Sequence, residues 1–242
     1  MAGADVRYQV TGQGEPVALV HGLSGSSRWW VRNIPALARY YTVYLVDLPG
    51  FGALRQFPQR LRFAELASWL LAWMDAVHLK RIRLVGHSMG GALAIQAAVQ
   101  RPAAFEQLVL VAPATSPLGH TRLHSLLLPL AAALPSTSLS FLPILAYDAL
   151  RAGPGALLHF SRDLLRADGR ADLTRVSAPT LLIWGAQDTL VPPSLGPLMR
   201  EALPHAELVT LSGVGHVVMY DRPKAFNAAA LAFFASERAP SA

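Results

Sequence analysis

The chain contains no cysteine, which excludes disulfides, thiol nucleophiles and cysteine-ligated metals. Lysine is almost absent too: apart from Lys80 and Lys224, the 21 basic residues are all arginine. Charged residues make up 15% of the 242 positions, with a formal net charge of +6. The basic residues are scattered, with a small concentration at Arg60, Arg62, Lys80, Arg81 and Arg83. A nucleic-acid surface needs a coherent basic face, so these read as solvated surface and no nucleic-acid partner is expected. Mean hydropathy is +0.34, yet no apolar run approaches the roughly 20 residues that span a bilayer, so no stable membrane insertion is expected. Met1-Ala2-Gly3-Ala4-Asp5 lacks the basic and apolar regions of a secretory signal, which points to a cytoplasmic chain or a mature form already trimmed. A chain of this length suits one domain with a substantial core.

What the chain does have is Gly86-His87-Ser88-Met89-Gly90-Gly91, a Gly-x-Ser-x-Gly at the junction of two patterns. Before it, Arg81-Ile82-Arg83-Leu84-Val85 alternates polar and apolar residues as a short strand does. After it, Ala92 to Val99 consists of good helix formers and runs out at Arg101-Pro102. So sharp a reversal crowds the backbone, and Gly86 and Gly90 remove the side chains that would collide there. Ser88 can then be held in a strained conformation with its hydroxyl presented, a candidate nucleophile.

A serine hydroxyl is a weak nucleophile at neutral pH and needs a histidine base oriented by a carboxylate. Thr180-Leu181-Leu182-Ile183-Trp184 reads as a buried strand, and Asp188 follows it. Glu207-Leu208-Val209-Thr210-Leu211 reads as the next strand, and His216 follows that one in Ser212-Gly213-Val214-Gly215-His216. In an open parallel sheet those strand ends share an edge, so Ser88, Asp188 and His216 can meet above it. Asp47 reads as the anchor of its own turn, Asp75 as a helix residue and Asp221 as the start of the last helix. Acyl transfer also needs donors aimed at the oxyanion. The Met89 amide opens the elbow helix, and the Leu23 amide follows Gly22 in His21-Gly22-Leu23-Ser24-Gly25-Ser26-Ser27, after the strand Pro16 to Val20. His21 reads as a loop-shaping residue and Trp29 and Trp30 as core or pocket wall. His87 has no comparable constellation of partners.

With these motifs in order, the chain resembles the α/β-hydrolase family in its compact carboxylesterase-like branch. The resemblance runs from His21-Gly22 through Asp47-Leu48-Pro49-Gly50-Phe51-Gly52, the elbow and Gly185-Ala186-Gln187-Asp188 to Gly215-His216, Arg222-Pro223 and Phe226-Asn227. It implies an α/β fold with a mostly parallel sheet flanked by helices, the chain order Ser, Asp, His for the triad, and no metal or organic cofactor. One departure is at the N-terminus, where Val6 to Val10 supplies one strand where relatives commonly have an antiparallel pair.

The resemblance also makes the long segment between the strands ending near Ala112 and starting near Thr180 a helical cap. The expected organisation is a core of residues 1–112 and 180–242 with a cap at 113–179. Punctuation by Pro135, Pro143 and Gly153-Pro154 suggests cap helices over Thr121 to Leu134, Leu139 to Arg151 and Pro154 to Ala167. The cap is strongly apolar, which biases the expected substrate toward uncharged, lipophilic acyl esters. His120 and His124 stand one helical turn apart, but two histidines without a carboxylate pair make a poor metal site. The leading expectation is therefore a carboxylesterase-type serine hydrolase acting on a small-molecule ester. A serine at the elbow disfavours dehalogenase and epoxide hydrolase chemistry, whose relatives use aspartate. A carbon-carbon bond hydrolase of ring-cleavage products is the nearest rival, suggested by Arg32-Asn33 and opposed by His87 and Val217. Lactonase, perhydrolase and acyltransferase activities share the triad and stay open, as does a slow-turnover ligand receptor on the same fold.

Overall fold

The centre of the protein is a twisted sheet whose middle strands are buried on both faces. The computed structural model describes residues 8–57, 61–115, 137–166 and 170–236. Among these, seven strands form one sheet: β1 (Tyr8–Thr11), β2 (Glu15–Val20), β3 (Tyr41–Val46), β4 (Ile82–His87), β5 (Phe105–Val111), β6 (Thr180–Gly185) and β7 (Ala206–Leu211), in the order β1-β3-β2-β4-β5-β6-β7. Only β1 runs antiparallel, pairing Tyr8 with Val46 and Thr11 with Val43; every other pair is parallel. This is the mostly parallel sheet flanked by helices that the motifs imply.

Alternate residues of the central strands feed two separate cores. Leu84, Leu108, Leu110, Leu182 and Trp184 face one, with Phe63, Leu66, Leu70 and Trp73 of α2 (Phe63–Ala76) and Leu93 and Ala94 of α3 (Met89–Gln100). Val85, Val109, Val111, Leu181 and Ile183 face the other. There they meet Trp30, Leu37 of α1 (Ile34–Leu37), and Phe226, Phe233 and Phe234 of α8 (Pro223–Ser236). Each valine, leucine, isoleucine or phenylalanine among them contributes about 1.5–3 kcal/mol on full burial. The spacing Phe63, Leu66, Leu70, Trp73 puts the apolar stripe of α2 on the sheet side, and the Arg62 amide donates to Glu65 Oε2 at 2.7 Å to close its N-terminus.

Because β4 is buried along its whole length, Arg83 is not surface, contrary to the reading of the basic cluster. Its guanidinium donates to Gln107 Oε1 (2.8 Å), Glu15 Oε2 (2.6 Å) and Glu106 Oε1 (2.7 Å), partners that local periodicity cannot reveal. The expected helices Leu139 to Arg151 and Pro154 to Ala167 appear as one element, α4 (Leu142–Arg166), broken at Gly153, whose φ of 75° and ψ of 160° interrupt the helix before Pro154. Its start falls at Leu142, after a turn in which the Phe141 amide donates to the Ser138 carbonyl. The expected helix Thr121 to Leu134, with His120 and His124, lies outside the described residues. The remaining helices are α5 (Arg170–Leu173), α6 (Leu195–Ala202) and α7 (Val218–Asp221). Asp221 thus closes α7 rather than opening the last helix, where Pro223 takes the first position. No helix among the described residues is long and apolar enough to cross a membrane.

Candidate active site

After β2 the chain adds β3 on one side of it, and the next strand, β4, lies on the other. This reversal leaves a crevice at the C-terminal ends of β2 and β4, the place where open α/β sheets bind ligands. Ser88 sits there, between β4 and α3, with φ of 52° and ψ of −115°. A non-glycine residue held so is strained by about 1–3 kcal/mol and persists only when its surroundings over-determine it. They do so here. The Ser88 amide donates to the Val111 carbonyl (2.9 Å), and the Ser88 carbonyl accepts from Gly91 (2.9 Å), Ala92 (3.1 Å) and Ala114 (3.0 Å). A Cβ at Gly86 would collide with the Gly90 carbonyl, and one at Gly90 would lie 2.5 Å from the His21 oxygen. The glycines therefore let β4, α3 and the loop after β2 close on one another. Ser88 Oγ has no hydrogen-bond partner among the described residues.

The loops after β6 and β7 bring the other two residues together. His216 Nδ1–H donates to Asp188 Oδ2 at 2.7 Å, both side chains being buried. The second carboxylate oxygen, Oδ1, accepts from the Leu190 and Val191 amides, each at 2.9 Å, so the acid is held from two directions. This bond puts the Nδ1 proton toward Asp188 and leaves Nε2 without a partner among the described residues. The Gln187 amide donates to the Val214 carbonyl at 3.0 Å, and Gly185 lies so close to the Gly215 carbonyl that no Cβ fits. His216 meets the elbow through His87, whose Nε2–H donates to the His216 carbonyl at 3.0 Å and whose ring centroid lies 4.7 Å from the His216 ring. Burial, then the neighbouring His216, push the His87 pKa well below the usual imidazole value, so His87 is neutral. The sequence offers no signal for this role beyond the position of His87 beside the serine.

The loop after β2 packs directly on the elbow: a Cβ at Gly22 would lie 2.9 Å from His87 Nδ1 and 3.1 Å from Ser88 Cβ. Neither the Leu23 nor the Met89 amide has an acceptor among the described residues. Two unengaged amides, one following Ser88 and one following the glycine that packs on it, suit a tetrahedral oxyanion. His21 shapes this loop, as its sequence position suggests. Its Nε2 accepts from the Leu48 amide (3.0 Å), its Nδ1–H donates to the Gly22 carbonyl (2.8 Å), and burial lowers its pKa.

Comparison with known proteins agrees with this frame. The family model described as the alpha/beta hydrolase family matches residues 17–229. The chain belongs to the alpha/beta hydrolase family. It is 33% identical over 93% of its length to the dihydrolipoyllysine-residue acetyltransferase component of the acetoin cleaving system of Pseudomonas putida, of which it spans 65%. It is 30% identical to a 2-hydroxy-6-oxononadienedioate/2-hydroxy-6-oxononatrienedioate hydrolase of a Pseudomonas species, over 91% of this chain and 88% of that protein. It is also 30% identical to a pimeloyl-(acyl-carrier protein) methyl ester esterase of Aeromonas hydrophila subsp. hydrophila, over 89% and 93%. Among solved structures, the bromoperoxidase from Bacillus anthracis superposes with a TM-score of 0.82 and 26% identity, over 94% of each chain.

Within this alpha/beta hydrolase two further carboxylates grip the loop after β2. Asp47 does anchor its own turn, accepting from the Ala53 amide at 2.7 Å, but it also accepts from the Ser27 amide at 2.6 Å. Asp148, on α4, accepts from Ser26 Oγ (2.7 Å), Trp29 Nε1 (3.1 Å) and an Arg28 guanidinium nitrogen (3.4 Å). Its one signal in the sequence is that it is the lone acid between Leu139 and Arg151. Arg32 and Asn33 are used structurally. Arg32 donates to the Tyr220 carbonyl and Ser140 Oγ, and Asn33 Nδ2 donates to the Met219 carbonyl and Asn227 Oδ1. Among the described residues no cluster of three His, Asp or Glu side chains could hold a metal ion.

Proposed function

We propose that this hydrolase cleaves carboxylic esters of lipophilic, uncharged acyl groups through an acyl-enzyme on Ser88. The observation that carries the reading is the buried 2.7 Å bond from His216 to Asp188, tied through His87 to the adjoining Ser88, whose φ is 52°. Ser88 Oγ attacks the ester carbonyl as its proton passes to His216 Nε2, and Asp188 stabilises the imidazolium. The Leu23 and Met89 amides hold the oxyanion. Collapse expels the alcohol, which takes the proton from His216, and water then repeats the sequence in reverse to free the acid. Residues 113–179 act as a cap over this site. Aromatic rings carry part of the contact between this segment and the body, with Phe160 of α4 against Phe51, and Phe141, just before α4, against Trp29 and Tyr220, which favours a lipophilic acyl group. The relative named as a methyl ester esterase supports the same bond type.

The relative named as an oxononadienedioate hydrolase keeps carbon-carbon cleavage as the second reading. Against it, Arg32 and Asn33 are committed to the backbone around α7 and to Ser140 and Asn227, and so do not serve a substrate carboxylate. A p-nitrophenyl ester series from acetate to palmitate, run beside a dienoate ring-cleavage product, separates the two. Turnover of the esters with an optimum in chain length is expected; preference for the dienoate overturns the ester reading.

A further inference from the structure

We propose that Asp148 is a positioning residue for this reaction, the α4 carboxylate that holds the Leu23 oxyanion loop in its working geometry. The inference rests on the serine-hydrolase reading and extends it from the body to the cap. The loop from His21 to Ser27 carries the Leu23 amide and contains a residue in left-handed geometry, Ser24, with φ of 63°. Such a loop is held from outside. On one side Asp47 takes the Ser27 amide; on the other Asp148 takes Ser26 Oγ and Trp29 Nε1. Ser26 Oγ in turn accepts from the Arg28 amide at 3.3 Å and so caps the short helix Ser27–Trp30. The same carboxylate reaches the histidine side through Trp29, whose ring lies 5.6 Å from the His87 ring, while His87 holds the His216 carbonyl. Asp148 is 3% exposed, so these bonds are shielded from competing water.

The geometry separates acceptor from charge. Ser26 and Trp29 both donate to one oxygen, Oδ2, whereas the Arg28 contact goes to Oδ1, is longer, and involves a half-exposed guanidinium. Asparagine with its oxygen in the Oδ2 position keeps both inner bonds and loses only the contact with Arg28. Alanine leaves two buried donors without a partner and frees the loop. Docking of α4 thereby becomes part of assembling the oxyanion hole, since the helix supplies the acceptor that the loop lacks.

The test uses the full chain, with p-nitrophenyl butyrate as substrate and sites counted by stoichiometric fluorophosphonate labelling. Asp148→Ala should lower kcat per labelled site by about 10- to 100-fold, with KM within about twofold, as expected for a displaced oxyanion donor. Asp148→Asn should restore kcat to within about threefold, and Arg28→Ala should leave it unchanged. If Asp148→Ala does not fold, Ser26→Ala, which removes one inner donor, carries the expectation of a smaller drop in kcat at unchanged KM. A merely structural role would reduce the number of labelled sites and leave kcat per site intact, and that result overturns the proposal. So does an Arg28→Ala loss equal to that of Asp148→Ala. A wild-type chain that neither labels nor turns over esters refutes the serine-hydrolase reading and this inference together. A wild type that turns over beside an Asp148→Ala variant of equal kcat refutes the inference alone.

Discussion

Replacing Gly90 by alanine would show whether the spacing of the elbow, and not its serine alone, sets reactivity. The new methyl group would sit 2.5 Å from the His21 carbonyl oxygen and 2.6 Å from that of Val20, where real Cβ contacts stop at 3.0 Å. Both obstacles are backbone at the end of β2, so neither can rotate aside. To relieve 2.5 Å to 3.0 Å, α3 must retreat from the loop by about half an ångström. Two effects on stability oppose one another. Alanine gains about 1 kcal/mol over glycine in a helix, and overpacking against an immovable wall costs about 1–3 kcal/mol. The net is a loss of about 0–2 kcal/mol, seen as a small fall in the urea midpoint. Activity should suffer more. Met89 moves with α3 while Leu23 stays with β2, so the two proposed oxyanion donors separate. A misplacement of about 1 Å costs on the order of 100-fold in rate, and half of that gives about tenfold in kcat. The assay is p-nitrophenyl butyrate hydrolysis per phosphonate-labelled site, paired with urea melts followed by tryptophan fluorescence. A Gly90→Ala variant with wild-type kcat would refute the claim that contact between elbow and loop positions the donors.

Three further outcomes follow from the same geometry. Arg83→Met should cost about 2–4 kcal/mol: Gln107 Oε1 loses its buried donor, whereas Glu15 and Glu106, 54% and 32% exposed, stay hydrated. In a domain of this size that is about 5–15 °C in Tm, and a loss under about 1 kcal/mol would contradict the buried-anchor account. Asp188→Asn should leave folding intact but lower kcat by about 1,000- to 10,000-fold at similar KM, through the wrong His216 tautomer, and wild-type turnover would remove Asp188 from the relay. Stability should also decline on acidification, because burial holds His21 and His87 below 6.5 in the folded protein. The native state then binds fewer protons than the unfolded chain, so the stabilisation is complete above about pH 6.5 and drains as pH falls toward the folded pKa values. His87→Gln keeps a donor for the His216 carbonyl and should flatten that slope by up to one proton as pH falls below about 6.5; an unchanged slope would show that His87 is not held neutral.

The parts of this protein legible in the sequence are those written locally. Gly86, Ser88 and Gly90 announce a strand-to-helix reversal, because only glycine tolerates the carbonyl oxygens that crowd it. Asp188 and His216 each follow a strand in a parallel sheet, so position along the chain already implies a shared edge. Long-range pairing is where local reading fails. The alternation Arg81-Ile82-Arg83-Leu84-Val85 marks the strand correctly, yet it cannot say that β4 is buried on both faces or that Glu15, Glu106 and Gln107 wait for Arg83. Asp148 hides for the same reason: its partners Ser26 and Trp29 lie about 120 residues away, at separations of 122 and 119. The break in α4 shows the reverse case. Gly153-Pro154 marks it in sequence, and the left-handed φ of Gly153 is its cause.

Peptide mapping by mass spectrometry, on chain reacted with a fluorophosphonate during ester turnover, bears most directly on the proposed relay. One adduct per chain on Ser88, with ester hydrolysis lost in proportion and both abolished by Ser88→Ala, is the result expected. Labelling at another residue, or hydrolysis that persists in Ser88→Ala, would contradict the assignment of Ser88, His216 and Asp188.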